Sequence, residues 1–227
     1  RGIGLAIATA LRAQGLEVLV CGRNPDTLDR ALQQVPGLRG LVADLGHTEA
    51  RRALLEQAVD ELGGLDLLVN NAGIQRAVDW THLSDPDDAA RAIAREVEVD
   101  LVAPLHLTRL AVPHLIASRG AVVFVSSVLG ASPKASAPVY CAAKAGIRSA
   151  CTSLRAQLGA SGVSVVELVP PLVDTAMTQG RQEGRKLAPE DVASALVAGL
   201  QRGRSSIAPG NAGAALTLHR WLPGVLA

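Results

Sequence analysis

Short apolar runs alternate with longer helical stretches along almost the whole chain, and this alternation restricts the fold more than any other feature. The runs 16–22, 38–43, 65–70, 121–126 and 163–169, with a weaker one at 205–208, are rich in Val and Leu. Runs that stay apolar on successive residues are buried on both faces, as in a parallel sheet covered by helices on each side. Helical periodicity fills the gaps, over 3–14, 25–34, 48–62, 86–117, 139–159 and 189–202. The pattern predicts an α/β fold, a doubly wound parallel sheet in three α/β/α layers. No linker rich in Gly and Ser divides the 227 residues, so residues 1–227 are expected to form one domain.

The first helix opens directly on Arg1, Gly2, Ile3 and Gly4. A glycine turn of this kind needs a strand feeding into it, and in a doubly wound sheet that strand is central. The expectation is that about a dozen residues forming this first central strand precede Arg1 in a longer natural chain. Without it, two strands carry unpaired edges inside the sheet.

Paired glycines also occur in ordinary turns, but here they open a helix, whose free N–H groups and positive dipole end suit a phosphate. The next strand ends at Cys21, Gly22, Arg23 and Asn24. Dinucleotide folds meet the adenosine ribose there: a carboxylate selects the free 2′-hydroxyl, and an arginine accommodates a 2′-phosphate. With Gly22 in the acidic position and Arg23 after it, together with Arg1, NADP(H) is favoured over NAD(H). Two solvated arginines are the plainer alternative. Further on, Asn70, Asn71, Ala72 and Gly73 end a strand on small residues, which lets a flat ligand approach the backbone. A simple turn would read the same way.

The most informative constellation is Ser127, Tyr140 and Lys144. Tyr140 and Lys144 are spaced i, i+4, so on a helix they share one face. A nearby ammonium favours tyrosinate over the phenol, whose ordinary pKa is about 10. The pair can therefore exchange a proton near neutral pH. Ser127, at the end of the 121–126 run, is placed to donate a hydrogen bond to a substrate oxygen. Composition sharpens this reading. Tyr140 is the only tyrosine in the chain, and Lys144 is one of three lysines among 22 basic residues. Arginine, bulkier and always charged, would not serve in its place.

Other chemistries find less support. Net charge is +1 and no basic block occurs, so nucleic-acid binding lacks its electrostatic footprint. The five histidines have no zinc-site spacing, and no metal is expected. The three cysteines form no CxxC pair, which suits a reducing compartment. No apolar run reaches the roughly 18–20 residues of a membrane span, and a cytoplasmic protein is expected.

Taken together these motifs resemble the short-chain dehydrogenase/reductase family. The shared features are the glycine turn at residues 1–4, Asp44 and Leu45 after the third strand, Asn70 to Gly73, Ser127, and Tyr140 followed by Lys144. A narrower resemblance, to DltE-type oxidoreductases, comes from CGRN (21–24), NNAGIQR (70–76), LVAPLHLT (101–108), PVYCAAKAGIRS (138–149) and VVELVPPLVDT (165–175). The resemblance implies a Rossmann-like sheet of order 3-2-1-4-5-6-7 and NAD(P)-dependent carbonyl/alcohol interconversion on a small-molecule substrate. It also implies homodimers or homotetramers packed through the helices at about 90–117 and 139–159. By the same resemblance Tyr140 is the proton donor or acceptor, Ser127 holds the substrate carbonyl, and Lys144 binds the nicotinamide ribose. Asp44 and Leu45 border the adenine, and Asn71, Ala72 and Gly73 lie beside the adenosine ribose. Pro170, Val173 and Thr175 meet the nicotinamide and pyrophosphate, and 172–186 is a mobile substrate lid.

Two departures stand out. Pro170 and Pro171 replace the usual Pro-Gly, as in the narrower group. Asp100 occupies the place of an asparagine that helps hold the water chain to Lys144; its charge is expected to stabilise the ammonium and partly screen it from Tyr140. The leading expectation is an NADP(H)-dependent oxidoreductase. The alternative is a catalytically weak NADP(H)-binding protein, redox-sensing or scaffolding.

Overall fold

The computed structural model describes residues 1–77, 80–81, 85–180 and 185–221. Strands and helices alternate as α1 (Gly2–Ala13), β1 (Leu19–Gly22), α2 (Pro25–Gln34), β2 (Arg39–Val42), α3 (Thr48–Leu62) and β3 (Leu67–Asn70). They continue as α4 (Pro86–Val97), α5 (Ala103–Ser118), β4 (Ala121–Val125), α6 (Pro138–Leu158), β5 (Ser164–Leu168), α7 (Pro189–Gln201), β6 (Ser206–Ile207) and α8 (Ala212–Trp221). Every strand pair is parallel. The order is β2-β1 in one sheet and β3-β4-β5-β6 in the other. This is the expected seven-strand order with its strand 1 left out.

The core lies on both faces of β4 and β5. Val123, Val125, Val166 and Leu168 meet α1 and α7 through Ile7, Leu11, Val192 and Leu196. On the other face Val122, Phe124 and Val165 meet Leu115 of α5 and Ile147 and Cys151 of α6. With aromatics at 2% of the chain, aliphatic side chains and close backbone approach fill this space. A Cβ on Gly199 would fall 2.3 Å from Ile207 Cδ1, which is why α7 can press on β6 only with glycine there.

The structure corrects three expectations. Burial on both faces holds for β4 and β5 but not for the sheet's other half, where Cys21 is exposed and Val42 is 59% exposed. Among the described residues β1 pairs only with β2, and β3 only with β4, so each has an edge that no described strand covers. The single helix expected over 86–117 is interrupted by a π turn, Glu98–Val102, between α4 and α5. Helix α8 was not anticipated, because its run of Ala, Leu and Thr carries little amphipathic contrast. The continuous run Pro86–Ser118 is long and apolar enough to cross a membrane by length and composition alone. Its apolar face instead carries Leu107, Ala111 and Leu115 in the core.

One buried charge fastens the sheet's edge to this helical run. Arg51 of α3 is 2% exposed and its guanidinium donates to four acceptors. They are Leu45 O at 2.9 Å, Thr48 Oγ1 at 2.8 Å, His106 Nδ1 at 3.1 Å, and the Glu98 carboxylate. Without the guanidinium, Leu45 O, Thr48 Oγ1 and His106 Nδ1 lose their donor, while Glu98, one-third exposed, keeps access to water. Arg51→Ala is expected to lower the free energy of unfolding by about 1–3 kcal/mol in a denaturant titration.

Candidate active site

β4 delivers the serine. The strand is buried along Val122–Val125, and Ser127, itself 7% exposed, follows its carboxyl end. Ser127 Oγ accepts from the Leu129 N–H at 3.1 Å and so caps one 3-10 turn, Val128–Gly130. That turn lies against α6. A Cβ on Gly130 would fall 2.8 Å from the carbonyl oxygen of Lys144, so only glycine allows the contact.

Pro138 starts α6 and puts Tyr140 and Lys144 on its first turns. Lys144 Nζ stands 5.5 Å from the centre of the Tyr140 ring. Tyr140 is partly exposed, whereas Lys144 is 5% exposed. The ammonium also donates to Val125 O at 3.2 Å, tying α6 to β4 just before Ser127.

Asp100 enters from the π turn and is completely buried. Its Oδ1 accepts from the Ile74 N–H at 2.7 Å. Its Oδ2 has no hydrogen-bond partner among the described residues and faces Lys144 Nζ at 4.0 Å. Burial pushes the Asp100 carboxyl up to about 6, against the pull of the Lys144 charge and the Ile74 N–H. Burial likewise holds the Lys144 ammonium below its ordinary range, and Asp100 works in the opposite sense.

The glycines trace the wall beside this group. A Cβ on Gly73 would fall 3.4 Å from Asp100 Oδ1 and 3.5 Å from Lys144 Nζ. One on Gly4 would fall 2.5 Å from Asn71 Nδ2, and one on Gly2, at φ +58°, 3.2 Å from Thr175 Cγ2. The first turn of α1, the turn at 71–73, Thr175 and the Lys144 ammonium are therefore neighbours in sequence of contact. The first-turn N–H groups of α1 lie at the positive end of the helix dipole. With Gly2 and Gly4 there, this turn fits a nucleotide pyrophosphate. Ile3 packs into the core, so only its backbone belongs to this wall. Ala72 is exposed.

After β5, Pro170 is buried and its carbonyl accepts from the Val128 N–H at 3.3 Å. Val173 is 3% exposed and pairs in parallel with Leu187. Thr175 and Thr178 close a reciprocal capping box. Within the 172–186 segment, residues 181–184, Arg181 among them, lie outside the described residues. Lys186 turns inward, donating to Thr178 O at 2.9 Å and lying 3.6 Å from Asp174.

The sheet's other half holds the residues expected near the adenosine. Arg23 is exposed beyond β1. Asn24 is occupied: its Oδ1 accepts from the Thr27 N–H at 2.8 Å as the N-cap of α2. Asp44 accepts from the Gly46 N–H at 2.9 Å and pairs with Arg95, whose hydrogen bond holds its carboxyl below the usual range. The Leu45 carbonyl accepts from Arg51.

Glu96, Arg95 and Arg51 escaped the sequence reading, because charges on a helix are ordinarily solvated. The usable signal was the acid at 96 set four residues before the acid at 100. Glu96 is 1% exposed and accepts from the Arg76 N–H at 3.3 Å. Burial raises its carboxyl above the ordinary value, against that hydrogen bond and the Arg76 charge.

A family profile for short chain dehydrogenases matches residues 1–186, and the chain belongs to that family; it is an oxidoreductase with a Rossmann-like fold. It is 37% identical over 212 residues to the uncharacterised oxidoreductase DltE of Bacillus subtilis, covering 91% of this chain and 83% of that one. An uncharacterised oxidoreductase of Staphylococcus epidermidis is 32% identical over 200 residues, covering 86% and 85%. Among solved structures, a 3-ketoacyl-(acyl-carrier-protein) reductase from Brucella melitensis complexed with NADH aligns at a TM-score of 0.81. Its identity is 25%, over 91% of this chain and 90% of that one.

The buried Asp100 has a consequence for stability. Its folded-state value, about 6, lies above its ordinary 3.8, so the folded protein binds more protons than the unfolded chain between these values. Stability contributed by this group therefore falls as pH rises through that window. Asp100→Asn, which cannot ionise, is expected to match wild type below pH 4 and to exceed it above pH 6. The gain is on the order of 3 kcal/mol at most. Denaturant titrations of both proteins across pH 4–8 measure it.

Proposed function

We propose that the protein interconverts a ketone or aldehyde with its alcohol by hydride transfer, using NADP(H) in preference to NAD(H), with Tyr140 as the acid/base. The observation that carries this reading is the Lys144 ammonium 5.5 Å from the Tyr140 ring, bonded to the end of the strand that leads into Ser127. The nicotinamide cofactor, when bound, supplies the hydride chemistry.

The first turn of α1, the turn at 71–73 and Thr175 would hold its phosphates, and Arg23 its adenosine end. The backbone at Pro170 and Val173 would border the nicotinamide. Lys144 would bind the ribose hydroxyls and favour tyrosinate, and Tyr140 would pass a proton to or from the substrate oxygen. Ser127 would donate to that same oxygen. The likeness to a reductase complexed with NADH supports the carbonyl substrate. The absence of an acid at Gly22, with Arg23 beside it, supports the phosphorylated cofactor. The same reading places a homodimer or homotetramer, packed through α4, α5 and α6, in the cytoplasm; Val102 and Ile116 are exposed apolar residues of that helical run.

A second reading, a nucleotide-binding redox sensor or scaffold with weak turnover, is favoured by the Asp100 carboxylate facing Lys144. The two are separated by fluorescence titration with NADPH and NADH, followed by turnover on a panel of ketones. Tyr140→Phe is expected to cut kcat by roughly a hundred- to ten-thousand-fold while nucleotide binding stays intact. Arg23→Ala is expected to weaken NADPH by about tenfold and leave NADH unchanged. Binding without turnover in wild type, with turnover appearing in Asp100→Asn, would instead establish the second reading.

A further inference from the structure

The helical run through α4 and the π turn brings two carboxylates into the protein's interior behind the proposed acid/base. Glu96 is 1% exposed and Asp100 is completely buried. Both are pinned by one loop after β3: Glu96 Oε1 accepts from the Arg76 N–H at 3.3 Å and Asp100 Oδ1 from the Ile74 N–H at 2.7 Å. An order of interaction follows. Glu96 acts on Asp100, Asp100 Oδ2 faces Lys144 Nζ at 4.0 Å, and Nζ lies 5.5 Å from the Tyr140 ring centre.

We propose that Glu96 and Asp100 form a buried acid pair of positioning residues that sets how much of the Lys144 charge is felt by Tyr140. This rests on the reading of Tyr140 as the proton-exchanging group. The groups facing Asp100 are Lys144 from α6, Glu96 from α4, and the Ile74 N–H from the loop. Arg76 acts on Glu96. Two carboxylates and one ammonium in a desolvated space carry a net negative charge when all are ionised, and such a space resists it. One proton held by either acid brings the cluster to neutrality. The proton is gained by the pair as the medium acidifies and lost to the medium as it becomes alkaline, with no other bond changed.

While Lys144 holds its proton, which burial opposes and Asp100 favours, the consequence for Tyr140 has a definite sign. An ionised Asp100 offsets the Lys144 ammonium, so less positive charge is left to favour tyrosinate. An amide at 100 cannot offset it, and the phenol should then ionise at lower pH. Glu96 works in the same direction as Asp100 from farther away.

Tyr140 is the sole tyrosine, so the rise of tyrosinate absorbance with pH reports it alone, without substrate or cofactor. In the full chain, Asp100→Asn is expected to move that midpoint down by about one pH unit. Glu96→Gln, which keeps an acceptor for the Arg76 N–H, should move it down by less. Lys144→Met should move it up. An unchanged or raised midpoint in Asp100→Asn, with Lys144→Met raising it, overturns the acid pair but leaves the Tyr140–Lys144 pairing intact. A midpoint indifferent to Lys144→Met overturns the pairing itself, and the acid pair's role with it. If circular dichroism shows Asp100→Asn unfolded, Glu96→Gln decides: a downward shift supports the pair, and none rejects it.

Discussion

Lys144 carries a charge into a place where water cannot solvate it, and what surrounds it compensates for that. Its ammonium has the Val125 carbonyl at 3.2 Å and the Asp100 carboxylate at 4.0 Å. The first contact locks α6 against the end of β4, which sets where Ser127 emerges. The second requires a carboxylate to arrive from a separate helical run. Without the ammonium, Asp100 would be a buried charge with one backbone N–H for company, the arrangement that folded proteins tolerate least. The geometry of the site and the stability of its walls are thus one electrostatic problem.

The π turn is the local device that solves it. In an unbroken α-helix from Pro86 to Ser118, the residues after Val97 would follow one regular face. Widening the helix over Glu98–Val102 turns both Val99 and Asp100 inward, and both are buried. Such turns inside helices cluster at functional sites. Pro104, buried at the start of α5, cannot supply an N–H to the helix ladder, so the widening coincides with a place where one bond is missing in any case.

The alternation of apolar runs and helices was enough to place every strand within a few residues, because burial on a parallel sheet writes itself into consecutive positions. Ser127, Tyr140 and Lys144 were readable too, since the i, i+4 spacing and the strand end are local. The sequence concealed the nonlocal contacts. Asn24 caps α2 through the Thr27 N–H, a local contact, whereas Asp44 pairs with Arg95 from a helix far along the chain. Glu96 and Arg51 look solvated because charged residues usually are, and only packing shows them enclosed. The strands next to the break in the sheet read as doubly buried, since composition records which residues favour burial and not whether a neighbour is present.

Those hidden charges share a pattern that joins the two ends of the site. Arg95 reaches Asp44, Glu98 reaches Arg51 and through it the Leu45 carbonyl, and Asp100 reaches Lys144. All three belong to one short stretch spanning the end of α4 and the π turn. The loop after β2 and Lys144 on α6 are thereby held by residues a few positions apart in one helical run. A shift of that element by the width of a side chain would strain both ends together, since Arg51 and the Lys144–Asp100 pair are buried and depend on the geometry of their partners. The run from 95 to 100 therefore does more than line the site. It fixes the separation between the end of the fold that would receive the adenosine and the end that would exchange the proton.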